Sequence, residues 1–178
     1  MKCITVQHKD VLRQLYENGE YRADICRVSE NLIKPYEFMM EYFGWKSCPI
    51  FASPVGFNTN MGGAKFFDGY VAIEIDVPIE YIKMQRYYDW TDFIYFTECP
   101  GDFEDACNVD RFNSVEDWAK TILNIDINHN CIDPMQVTLE FIHKDWITGS
   151  TPNLSKLDKE QNDSGGDYKL QPLLYYMH

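Results

Sequence analysis

Between Tyr70 and Val77 the side chains alternate strictly. Val71, Ile73, Ile75 and Val77 fall on one side, and Ala72, Glu74 and Asp76 on the other. Period-two alternation with β-branched residues on one side specifies a strand with one buried face. Pro78 ends it, because proline cannot donate to a ladder and restricts the residue before it. The stretch runs on to Trp90 as GYVAIEIDVPIEYIKMQRYYDW. It therefore begins as scaffold and closes in an aromatic knot, Tyr87, Tyr88 and Trp90, which reads as extended chain. Adjacent tyrosines on an extended segment face opposite ways, so at least one is expected at the surface.

A chain built around such a strand needs further layers, and the flanking patterns supply them. Cys3–Gln7 reads as a short strand. From His8 the spacing turns helical, with Val11, Leu12, Leu15 and Tyr16 on one face and a left-handed stop at Asn18-Gly19. Tyr21 to Ile25 returns as extended chain. Ser29 to Trp45 reads as a second helix, with Pro35 in its first turn and Gly44 closing it. Apolar nearly all round, that helix is expected between layers. Cys48–Val55, broken by prolines, suits an edge strand or a loop. Gly56–Gly63 is a glycine-rich loop without the lysine and trailing helix of a phosphate-binding loop.

Beyond the aromatic knot, 91–96 fits helix or strand equally. Ser114 with Asp117 three residues on forms an N-cap pattern, and Val115, Trp118, Ala119, Ile122 and Leu123 follow as a helical stripe. Met135–His143 is a second alternating strand, with Val137, Leu139 and Phe141 against Thr138 and Glu140. The sequence thus predicts one α+β domain over residues 1–147. Its sheet is twisted, mixed or antiparallel, and carries about three packed helices. A flexible polar loop follows over 148–167, and an apolar segment, 168–178, packs back on the domain.

Charge narrows the function. The 178 residues hold 28 acidic and 16 basic side chains, a formal net charge of −12. Phosphate would be repelled, so direct nucleic-acid binding is not expected. Between Glu98 and Asp117 there are seven acidic residues, Glu98, Asp102, Glu104, Asp105, Asp110, Glu116 and Asp117, against Arg111 alone. Phe103, Phe112 and Trp118 interleave with them. Such a run is a solvated face or an interface offered to a Lys/Arg-rich partner. Cys3, Cys26, Cys48, Cys99, Cys107 and Cys131 are scattered without a CxxC, and the N-terminus lacks the apolar run of a signal peptide. These features predict a cytoplasmic protein with free thiols and no membrane span.

Catalytic and metal patterns are sparse. His8, at a strand-to-helix junction, reads as a helix-start residue rather than a ligand. Cys107, His129 and Cys131 match no compact zinc spacing. Pairing a cysteine nucleophile with His129 or His143 has no support in spacing. Asp102, Glu104 and Asp105 as magnesium ligands of a nuclease would have to act from within one loop. No metal and no cofactor is predicted.

Four local patterns resemble an uncharacterised bacterial and phage family, the domain of unknown function numbered three thousand eight hundred and forty-one. ITVQHKDVLRQLYENGEYRAD looks like its opening, and AIEIDVPIEYIKMQRYYDW like its strand, proline and Asp-Trp cluster. YEFMMEYF and VTLEFIHKDWI look like its middle helix and last strand. The chain departs from the family at Pro49-Ile50-Phe51, where tryptophan is usual, and lacks the family's Trp-His near the aromatic cluster. The opening unit is also similar to ADP-ribosyltransferase-like folds, which bind NAD between two sheets. That similarity implies roles for Gln7 or His8, Tyr21, Arg22 and Glu98.

The function expected from the residues is non-enzymatic. It is an acidic inhibitor from a mobile element or phage, an anti-CRISPR or other anti-defence factor, engaging the basic groove of a nucleic-acid-binding protein. Its binding residues are expected to be Tyr87, Tyr88, Trp90, Glu98, Asp102, Glu104, Asp105 and Asp110. An NAD-dependent ADP-ribosyltransferase-like enzyme is the competing expectation.

Overall fold

The computed structural model of the protein describes residues 1–58, 69–105, 112–127 and 131–151. Six strands form one antiparallel sheet in the order β5-β6-β3-β1-β4-β8. They are β1 (Lys2–His8), β3 (Ile50–Pro54), β4 (Tyr70–Asp76), β5 (Lys83–Arg86), β6 (Met135–Leu139) and β8 (Ile147–Thr151). Two more, β2 (Glu20–Arg22) and β7 (Phe141–His143), pair as a small second sheet. The helices are α1 (Lys9–Asn18), α2 (Glu30–Phe43), α3 (Tyr87–Glu98), α4 (Pro100–Asp105) and α5 (Val115–Ile122). The fold is α+β, with five α-helices among the described residues where about three were expected.

Alternation along the strands separates two cores. On one face Val71, Ile73, Ile75 and Val77 join Cys3, Ala52, Met84, Val137 and Leu139, and α1 covers them with Val11, Leu12 and Leu15. Tyr16, expected on that buried face, is 63% exposed. Phe51, one residue out of step with Ile50 and Ala52, turns to the other face. There it meets the helical layer of Met39, Trp90, Phe93, Phe103, Ala119 and Ile122. Gly19 and Gly44 close α1 and α2 with φ of 82° and 68°, the left-handed stops the sequence foreshadows.

Several expectations need correction. Pro35 is not in the first turn of α2, because Ser29 starts the helix at Glu30; the proline lies buried within it. Nor is α2 enclosed between layers. Pro35 and Met39 are its only buried residues, and Tyr42 is 40% exposed. The proline-broken stretch is an interior strand. Its prolines are harmless because β3 serves its neighbours by halves: Ile50–Ala52 pair with β6, and Ser53 and Pro54 with β1. Thr5 Oγ1 donates to the Phe51 carbonyl at 2.8 Å where the β1 ladder has ended.

The expected strand Met135–His143 breaks at Glu140. That carboxylate accepts the Lys46 N–H at 3.0 Å and pairs with Arg22 at 2.7 Å, while its carbonyl accepts the Ser47 hydroxyl at 2.7 Å. These bonds turn the backbone into the second sheet. Residues 148–151 do not belong to a polar loop but to β8, an edge strand on β4. The remainder of that loop and the 168–178 segment lie outside the described residues.

Candidate functional site

The aromatic knot is not extended. Tyr87 begins α3, its N–H donating to the Pro134 carbonyl at 2.8 Å. Helical spacing puts Trp90 and Phe93 on one side and Tyr88, Asp92 and Tyr95 on the opposite stripe at i, i+4 and i+7. Trp90, expected as a binding residue, is 4% exposed and packs among Tyr36, Phe51 and Phe93, with ring centroids 5.5 to 6.0 Å away. It is core. Tyr87 is half-buried, and Tyr88 is half exposed, as is Tyr95.

Pro100 ends α3, since the residue before a proline is driven out of the helical region; Cys99 has φ −125° and ψ 66°. The same proline then opens α4. Asp102, Glu104 and Asp105 thus sit on a short helix rather than in a loop. Asp102 and Glu104 are exposed, the side chain of Asp105 lies outside the description, and so does Asp110. Phe103 turns inward, edge-on to Phe96 at 5.3 Å and beside Trp118 at 5.8 Å. Phe103 is buried, while Phe112 and Trp118 pack partly buried against the same core. The aromatics interleaved with the acids therefore hold α3, α4 and α5 together instead of forming an interface.

The Tyr95 hydroxyl donates to the Asp102 carboxylate and ties α4 to α3. That bond, with the charge of Asp102, pushes the Tyr95 phenol up to about 12. Partial desolvation raises the Asp92 carboxyl above its ordinary value. Desolvation raises Asp89 too, against the opposing Arg86 guanidinium at 3.1 Å. From Tyr87 to Asp105 the chain carries six carboxylates, Asp89, Asp92, Glu98, Asp102, Glu104 and Asp105, and no lysine, arginine or histidine. The two stretches singled out separately in the sequence thus share one outer surface. Asp92 and Tyr95 belong to it and are missed when the knot is read as a strand. Their i, i+4, i+7 relation to Tyr88 is the signal that reveals them.

The residues implied by the ADP-ribosyltransferase similarity are engaged internally. Gln7 donates to Thr5 Oγ1 at 2.8 Å, and His8 Nδ1 caps α1 by accepting the Asp10 N–H at 3.3 Å. Tyr21 is buried, and Arg22 is held by Glu20 and Glu140 at 2.6 and 2.7 Å. Glu98 is exposed at the end of α3. Among the described residues no three His, Cys, Asp or Glu side chains are placed to hold a metal ion. Cys107 and His129 lie outside them; Cys3, Cys26, Cys48, Cys99 and Cys131 are free thiols. No helix among them is long and apolar enough to cross a membrane.

A second feature was not anticipated. At the C-terminal end of α2, Phe43 and Trp45 stack with centroids 4.7 Å apart. Facing them, Tyr81 stands edge-on to Phe141 at 5.4 Å, and Trp146 backs both at 5.2 Å. A cleft of about 180 Å³ separates the two aromatic walls, lined also by Glu80, Lys83 and Glu140.

No protein-family model matches the chain, and no curated protein or solved structure matches it. The resemblance to the bacterial and phage family therefore rests on its four local patterns alone.

Proposed function

We propose that the protein is an acidic protein-binding inhibitor, an anti-defence factor of the anti-CRISPR type. In this reading the α3–α4 surface enters the basic groove of a nucleic-acid-handling protein and competes with its nucleic acid. The observation that carries it is the single face made by Tyr88, Asp92, Tyr95, Glu98 and Asp102, exposed and without a basic residue. Clustered carboxylates steer a basic partner and accelerate encounter. Half-exposed tyrosines among them offer large, rigid contact area of the kind that anchors interfaces. The mobile-element or phage origin rests on the family resemblance.

The test uses the full chain as bait in host lysate at low and high salt, then nucleic-acid competition on whatever basic protein is captured. Expected is capture that weakens with salt, is displaced by nucleic acid, and is lost in the variant Asp92→Lys/Glu98→Lys. Tyr88→Ala should cost at least about tenfold in affinity, the scale of one interface anchor. Capture at neither salt, or capture indifferent to the charge reversal, overturns the reading.

A further inference from the structure

We propose that the aromatic cleft between the end of α2 and the β5–β7 side is a binding site for a small zwitterion, an amino acid with an aromatic or large apolar side chain. This site is separate from the α3–α4 face and does not depend on its function.

The charges around the cleft sort themselves into two groups. Arg22 lies over the Phe141 ring at 4.6 Å, and its guanidinium is neutralised by Glu20 and Glu140. Glu140 also holds the backbone N–H of Lys46, fixing the turn that presents Trp45. These groups are occupied, and they make the walls rigid. Lys83 and Glu80 are different. Among the described residues neither has an ion-pair partner, although both line the cleft. The Lys83 ammonium sits 5.6 Å from the Phe43 ring centroid, a distance at which a cation is attracted to an aromatic face.

The cleft therefore presents one unneutralised cation and one unneutralised anion between aromatic surfaces. A simple cation would meet Lys83, and a simple anion would meet Glu80; each would be opposed by the like charge. A ligand carrying both charges satisfies both, its carboxylate toward Lys83 and its ammonium toward Glu80. The apolar body then lies against the rings, where flat groups gain area and stacking. A volume of about 180 Å³ is below that of a drug-sized pocket and suits a ligand of amino-acid size. Trp45 and Tyr81 add an indole N–H and a phenolic hydroxyl to the residues of this lining.

The experiment is a titration of the ¹⁵N-labelled full chain with L-phenylalanine, phenylacetate and phenethylamine, followed at the Trp45 indole resonance. Trp45→Phe assigns that resonance. The expected result is a saturable shift with L-phenylalanine, with each single-charge analogue needing about tenfold higher concentration, the scale of one charge-assisted hydrogen bond. Glu80→Gln, at an exposed position, and Lys83→Met, which keeps the length of a half-buried side chain, should each weaken L-phenylalanine to a similar degree. No shift with any probe overturns the proposal. So does phenethylamine or phenylacetate binding as well as L-phenylalanine, or wild-type affinity in both variants.

Discussion

Gln85 shows how much a single residue can hold against the rest of its fold. It is 1% exposed, on β5, directly across from Gln136 on β6, with Thr138 one step along the same face. Among the described residues neither polar atom of Gln85 has a hydrogen-bond partner, and the same is true of Gln136 Nε2 and Thr138 Oγ1. A buried amide without partners costs its full desolvation, about 1–3 kcal/mol. Gln85→Met keeps the length and flexibility of the side chain and removes the polar atoms. The expected outcome is a gain of about 1 kcal/mol in unfolding free energy, at the low end of that range because Gln136 Nε2 and Thr138 Oγ1 stay buried beside the new side chain. Urea denaturation checks it. A loss of stability would mean that Gln85, Gln136 and Thr138 are bonded to ordered water and act as a network.

At the scale of elements, the bond from Tyr95 to Asp102 joins α3 to α4 across the break at Pro100. The phenol is raised from 10.0 to about 12, first by that hydrogen bond and next by the carboxylate charge. Its folded value lies above its unfolded one. The stability it contributes is therefore complete below pH 10 and is lost as pH rises through about 12. In Asp102→Asn the charge is gone, and the Tyr95 titration should fall back toward 10.0, read from its ring carbon resonance. An unmoved midpoint would place the cause elsewhere than Asp102.

The same two helices mark the limit of what the sequence discloses. Strand β4 is legible because its period-two pattern has one buried face, and α5 because Ser114 accepts the Asp117 N–H at 3.2 Å as its motif promises. Helix α3 starts at Tyr87, directly after β5, and its N-cap residue Arg86 makes no side-chain cap. No cap marks the change, and aromatic residues favour strands on propensity alone. Tertiary packing of Trp90 and Phe93 decides it. The interior place of β3 is hidden for a related reason, because two half-ladders and the Thr5 hydroxyl come from residues distant in sequence.

The acidic run from Glu98 is legible in the sequence, but not the face that part of it shares with the outer stripe of α3. What the fold adds is segregation. Three of the ion pairs, Arg13 with Asp10, Arg86 with Asp89 and Lys120 with Asp117, join residues three apart within one stretch of chain. Side chains in such exposed pairs contribute little. They leave the outer stripe of α3 uncompensated, so the formal charge of −12 acts mainly as self-repulsion of the compact state. Salt should then stabilise the protein. Between ionic strengths of about 0.01 and 0.15 M the Debye length falls from about 30 to about 8 Å, which screens carboxylates on separate turns and helices. The melting temperature should rise over that range in sodium chloride. Asp92→Asn/Glu98→Gln should show a smaller rise from a higher starting point, because part of the repulsion has been removed. If wild type instead melts lower as salt increases, its ion pairs outweigh its net charge, and the α3–α4 surface is better compensated than its side chains imply.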